Sequence, residues 1–190
     1  RAGADTIDHC VFTDDEAIDM LVSEKKFIVP TLLHRSDRAI EVRKRVGTSD
    51  FTLNKMKMLQ PTTKETFQRF IKAGVRIAMG TDTQIDAEMG ANAHELEIYV
   101  NYGMTPMEAI QTATKNAAEA IWLGKETGTL EPGKFADIIA VKGDPLSDIR
   151  ILQEKEKIMI VMKEGRVFVD RRPGHKKLVI HDEEWGWKRI

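Results

Sequence analysis

The amino-acid sequence predicts an α/β fold, a parallel sheet covered by helices, with a small β module appended. Three observations predict it. Short, nearly all-apolar runs recur, each followed by a segment whose apolar residues fall at helical spacing, as buried parallel strands and their crossover helices do. Cap and turn signals separate these runs. From Gly128 onward the character changes to turn chemistry and short strands.

Residues 5–12 run or alternate apolar (Ile7, Val11, Phe12) and then meet Thr13-Asp14-Asp15-Glu16, a helix start with an acidic first turn. The helix expected over 14–25 places Ala17, Ile18, Leu21 and Val22 on one face. Lys25-Lys26 sit at its end, where the dipole favours cations. A second buried strand spans 27–32. Residues 34–60 are polar and charged with scattered apolar positions (Ile40, Val42, Val46, then Leu53, Met56, Leu59), helical but interrupted around Gly47-Thr48-Ser49, and read as an excursion over the active face. Residues 62–72 read as a separate helix with Phe67, Phe70 and Ile71 inward and Gly74 as a left-handed C-cap.

The third strand, 75–79, ends in Gly80-Thr81-Asp82-Thr83. Helices follow at about 91–102, 105–114 and 116–123, the middle one opened by Thr105-Pro106-Met107-Glu108, an N-cap with proline at the first position. Short strands are expected at 136–141, 157–163 and 167–170, the last two joined by Glu164-Gly165. The expected division is 1–125 for the α/β part, 126–170 for the β module and 171–190 for a basic, then Trp-rich tail with the acidic cluster Asp182-Glu183-Glu184.

The 29 basic and 30 acidic residues leave a formal charge of -1, which argues against nucleic acid or an anionic membrane as partner and points to small-molecule chemistry. No apolar run approaches the ~20 residues of a membrane span. Cys10 is the one cysteine, which excludes an internal disulfide framework and slightly favours a reducing, cytoplasmic compartment. The chain opens on Arg1 and reads as the middle of a gene product, so a leader peptide upstream stays open.

His9 lies at the expected C-terminal end of the first strand, and Asp82 follows the third through a glycine that lets the backbone turn sharply. Imidazole is the commonest protein metal ligand, and a carboxylate can both ligate a divalent ion and take a proton from water. Taken singly, each has a blander reading: a strand-end histidine is more often structural, and an aspartate there more often caps a turn. His94 has no partner at metalloprotease spacing, since position 98 is Ile98. It reads as a packing residue that could meet a substrate carboxylate at a helix start. His34 and Arg35 sit at the end of the second strand, and a solvated loop is the expected setting. Cys10 reads as core, and Met56 and Met58 as packing residues.

Taken jointly, Gly3-Ala4-Asp5-Thr6-Ile7-Asp8-His9-Cys10, Gly80-Thr81-Asp82, the stretch from Gly103-Met104-Thr105-Pro106 through Asn116-Ala117-Ala118, and Gly128-Thr129-Leu130-Glu131-Pro132-Gly133-Lys134-Phe135-Ala136-Asp137 resemble the amidohydrolase superfamily. Within it, the likeness is to imidazolonepropionase-like and prolidase-like (Xaa-Pro dipeptidase) hydrolases. It covers about residues 3 to 170.

The resemblance implies the C-terminal part of a (β/α)8 TIM-type barrel, strands six to eight, with part of a small β sandwich. It implies one or two divalent metal ions, zinc foremost, with His9 on strand six and Asp82 on strand eight as ligands. Asp82 would also be the catalytic general base in hydrolysis of an amide-type C–N bond of a dipeptide or N-acyl amino acid. His94 would bind substrate. A deaminase or a urea or carbamate hydrolase is the alternative chemistry, and an inactive half-barrel the non-catalytic one. The family's first-strand His-x-His, fourth-strand lysine and fifth-strand histidine are expected upstream. The expected partners are therefore the missing N-terminal barrel half or another chain, and a further copy in a homo-oligomer.

Overall fold

The computed structural model describes residues 3–83 and 89–175. Three strands, β1 (Thr6–Asp8), β2 (Phe27–Val29) and β3 (Arg76–Ile77), form a parallel sheet in chain order. Ile7 pairs with Ile28, and Ile28 with Ile77. Helix α1 (Asp15–Ser23) joins the first two strands, capped by the Asp14 carboxylate, which accepts from the Ala17 N–H at 2.8 Å.

Between β2 and β3 run α2 (Asp37–Arg45) and α3 (Asp50–Ala73). The break at residues 47–49 lies where the sequence places it, but the two helices expected over the excursion and over 62–72 are otherwise one. α3 is continuous for 24 residues and contains Pro61. An interior proline removes one backbone bond, at ~3 kcal/mol. Pro61 is exposed, so the carbonyl it orphans faces water, while Leu53, Met56, Thr63, Thr66, Phe67 and Phe70 bury one face across the site. Gly74 ends α3 in the left-handed conformation (φ 74°), as expected. Met56 is buried, but Met58 is 69% exposed and is not a packing residue.

After β3, α4 (His94–Asn101), α5 (Pro106–Ala113) and α6 (Lys115–Ala120) pack back on the sheet. Thr105 and Glu108 form a reciprocal capping box at the start of α5. The Met79 N–H donates to the Thr112 carbonyl at 2.9 Å, and the Asn116 amide to the Ile77 carbonyl at 2.9 Å, which ties both helices to β3. The main core gathers Ile18, Leu21, Ile28, Phe67, Phe70 and Tyr99, with the Phe67 and Tyr99 rings 4.9 Å apart.

The C-terminal module is an antiparallel sheet of β4 (Ile138–Val141), β5 (Ile158–Lys163) and β6 (Arg166–Asp170), the last two joined by a tight turn at Glu164-Gly165. Ile149 enters the main core from this side, and the Gln153 amide donates to Glu97 at 2.7 Å. The expectations for the Trp-rich end of the tail and its acidic cluster fall outside the described residues. Among the described residues no helix is long and apolar enough to cross a membrane.

Candidate active site

The parallel strands are shorter than the sequence suggests because the backbone leaves the ladder at their C-terminal ends. His9 (φ 68°), Cys10 (φ 51°), Thr31 (φ 49°) and Asp82 (φ 51°) all adopt the left-handed conformation just past β1, β2 and β3. For a β-branched residue such as Thr31 this is an outlier, and such strain, at about 1–3 kcal/mol per residue, collects where the surroundings over-determine it, commonly at functional sites. Gly80 lets the third strand end lie against the second: a Cβ there would overlap the Val29 side chain.

These turns bring three side chains to one edge of the sheet. The His9 Nδ1 lies 2.8 Å from the Thr31 hydroxyl oxygen, which fixes the ring and leaves Nε2 as its other donor atom. His34, on the 3-10 turn Leu33–Arg35 after β2, has Nδ1 3.7 Å from the Asp82 carboxylate and 3.1 Å from an Arg43 guanidinium nitrogen. Burial, then the Arg43 charge, pulls the His34 imidazole below its ordinary pKa, with Asp82 opposing. Arg35, whose guanidinium is also lowered by burial, feels Asp82 and Glu95 as its nearest opposite charges.

The solvated setting expected for His34 and Arg35 is therefore corrected: both are half-buried. Their position was the available signal, since they follow β2 as His9 follows β1 and Asp82 follows β3. Thr31, Arg43 and Glu95 carried no assignment from the sequence. Glu95 is fully buried on α4 and accepts from the Leu32 and Leu33 N–H groups at 2.7 and 2.6 Å. Burial pushes its carboxyl up to about 7, against those two hydrogen bonds. The Tyr99 hydroxyl is enclosed beside Glu95 and the Gly80 backbone without a well-aligned hydrogen bond. The four-residue spacing of Glu95 and Tyr99 on an otherwise apolar face is the trace Glu95 leaves in the sequence.

His94 opens α4 with Nδ1 3.6 Å from Glu97, and burial followed by the Arg38 charge lowers its pKa. These partners do not include His9 or Asp82. Cys10 has its thiol on the Ile7 carbonyl at 3.4 Å, and burial pushes it to about 11, the state of an inert packing residue.

His9 and Asp82 have the chemistry of a ligand pair, but among the described residues no group of three His, Cys, Asp or Glu is placed to hold a metal ion. A catalytic zinc usually takes three protein ligands. Among the described residues such a ligand set is not complete.

Known proteins resemble the chain over most of its length. Residues 3–168 match the amidohydrolase family. Ochratoxinase of Aspergillus niger is 35% identical over 173 residues, 88% of this chain and 34% of its own length. Imidazolonepropionase of Symbiobacterium thermophilum is 32% identical over 143 residues, 73% of this chain and 33% of the relative. The crystal structure of a Xaa-Pro dipeptidase with methionine bound in its active site superposes with a TM-score of 0.77 at 32% identity, covering 87% of this chain and 40% of that one. The chain thus spans about a third of the length of the curated relatives named here. With a family match over nearly its whole length, the chain belongs to the amidohydrolase family.

Proposed function

We propose that the protein hydrolyses an amide-type C–N bond in a small molecule, a dipeptide or an N-acyl amino acid, with Asp82 as general base. The observation that carries this reading is the convergence of His9, His34 and Asp82 at three consecutive parallel strand ends. Strand ends of this polarity are where barrel enzymes place their reacting groups. The likeness to an ochratoxinase and a Xaa-Pro dipeptidase supports the choice of bond.

In this reading β1, β2 and β3 are strands six, seven and eight of the barrel. His9, through Nε2, and Asp82 would hold part of a divalent metal site, for one or two ions, zinc foremost. Such an ion, when bound, supplies Lewis acidity toward the scissile carbonyl and acidifies the attacking water. Asp82 takes the proton from that water and returns it to the leaving amine. His34, whose Nδ1 accepts from Arg43, lies 3.7 Å from the Asp82 carboxylate and walls one side of it. Arg35 and Arg43 each keep one enclosed guanidinium N–H without a partner among the described residues, so this edge presents positive charge suited to a substrate carboxylate. His94 stands at the start of α4 as a more distant substrate contact.

In that reading the remaining strands of the closed barrel pair with β1 at one edge and with β3 at the other. On the β1 side an open cleft of about 430 Å³ is lined by Ala4, Ile7, Phe12, Ala17 and Met20, and Phe12 is 79% exposed. An unpaired strand edge with apolar side chains beside it is a place for another strand and helix.

The full-length protein assayed against dipeptides and N-acyl amino acids, with amine release as readout, tests the reading. Activity is expected to vanish with chelator and return with a divalent ion. Asp82→Asn is expected to lower kcat by ~10²–10⁴. Absence of amine release from every member of the panel by the metal-loaded protein sinks the proposal.

A further inference from the structure

The turn after β2 has two outputs to the candidate site. Its first residue, Thr31, holds His9 at 2.8 Å, and its fourth, His34, faces Asp82 at 3.7 Å. The same turn begins in a strained conformation, with a β-branched Thr31 at φ 49° and 3% exposed. Strain of this kind persists only where the surrounding structure holds it. The two amides that follow Thr31 are held by a single side chain: the Leu32 N–H donates to one Glu95 oxygen and the Leu33 N–H to the other.

A fully enclosed carboxyl is an expensive way to satisfy two backbone donors, because removing a carboxylate from water costs several kcal/mol. Packing alone would be better served by an apolar residue, as at neighbouring Leu96. The platform behind Glu95 is firm, since Leu96 and Tyr99 of α4 are core residues and Tyr99 stacks on Phe67. Glu95 therefore transmits the position of a rigid helix to a strained turn.

Resting on the reading of His9, His34 and Asp82 as the reactive edge, we infer that Glu95 is a positioning residue. Its carboxyl pins the turn at Leu32 and Leu33 and so sets, through Thr31, the placement of His9 and, through His34, the wall that the Asp82 carboxylate faces. It does not touch substrate. A misplacement on the order of 1 Å at a reacting group costs up to ~100-fold in rate, so the effect belongs in kcat.

The test uses the full-length protein and the Glu95→Gln variant, assayed on a substrate found in the panel above, well below the unfolding midpoint of each. The expected result is a kcat lower by ~10–100-fold with KM changed by less than about threefold. Hydrogen exchange at the Leu32 and Leu33 amides is expected to speed up by more than ~10-fold relative to other core amides. An Ile149→Ala variant, whose side chain enters the same core from the β module, supplies the comparison for general destabilisation and should keep kcat within about twofold. Glu95→Asp, which retains the carboxyl on a shorter stem, takes the place of Glu95→Gln if the latter does not fold, with the same expectations. A kcat within twofold of wild type, or an equal kcat loss in Ile149→Ala, overturns the inference. If the wild type cleaves no amide, the proposed function fails by itself. The exchange measurement still decides on Glu95, and unchanged protection at Leu32 and Leu33 overturns its role.

Discussion

Glu95 also makes the protein's stability depend on pH in a direction that can be worked out. Its carboxyl is raised from 4.5 to about 7 in the folded state, with burial as the largest cause. The folded state therefore holds its proton more tightly than the unfolded chain does. This stabilisation is fully present below about pH 4.5 and is lost as the pH rises through about 7, a change of about 3 kcal/mol at ~1.4 kcal/mol per pKa unit. Glu95→Gln removes the titration. At low pH the variant is the less stable, because the amide nitrogen cannot accept from one of the two backbone N–H groups, and a buried unsatisfied donor costs ~1–3 kcal/mol. At higher pH the wild type loses its advantage. Urea unfolding of both full-length proteins at about pH 5 and about pH 9 and equal ionic strength should show a gap of ~1–3 kcal/mol that closes or inverts. A gap that is flat or widens with pH refutes the reasoning, because it would mean that the two N–H donors and Arg35 outweigh burial and keep the carboxylate ionised.

Phe67→Ala, which removes a ring stacked on Tyr99 at the centre of the core, should destabilise by ~3–5 kcal/mol in chemical denaturation. Gly80→Ala should cost ~1–3 kcal/mol through the overlap of its Cβ with Val29, and adding Val29→Ala should recover part of that loss, measured as a coupling in a double-mutant cycle. Cys10, with its thiol near 11, should alkylate with iodoacetamide at about pH 8 at least ~30-fold more slowly in the folded protein than in urea. Arg43→Met should raise KM for an N-acyl amino acid more than for its carboxamide, by ~10-fold or more, as loss of a charge-assisted contact predicts.

The helical part of the fold is legible in the sequence wherever a cap or a period specifies it. Thr105 to Glu108 spell a capping box, Gly74 a left-handed stop, and the break at 47–49 separates two helices. The join at Pro61 is not legible, because the local rule against an interior proline is overruled by burial on the opposite face of α3, a tertiary fact. The strands are legible as apolar runs but not in length. A run such as 27–32 reads as one strand, while Thr31 leaves the ladder in a conformation that propensity disfavours for its type.

The same division holds for the site. His9 and Asp82 are visible because each ends an apolar run and carries an obvious chemistry. His34 has the same placement, yet its neighbours Arg35, Ser36 and Asp37 make the segment look solvated until α2 folds over it and brings Arg43 to the ring. Glu95 is hidden for the opposite reason, since a glutamate in a helix with charged neighbours reads as surface, and only the packing of α4 against the turn after β2 encloses it. Both residues depend on contacts between segments some 60 positions apart in the case of Leu32 and Leu33 with Glu95. A single sequence contains no local term for such a contact. What it does contain is the regularity that makes the contact useful: three successive strands ending on one edge, so that any side chain delivered to that edge from a later helix falls within reach of the others.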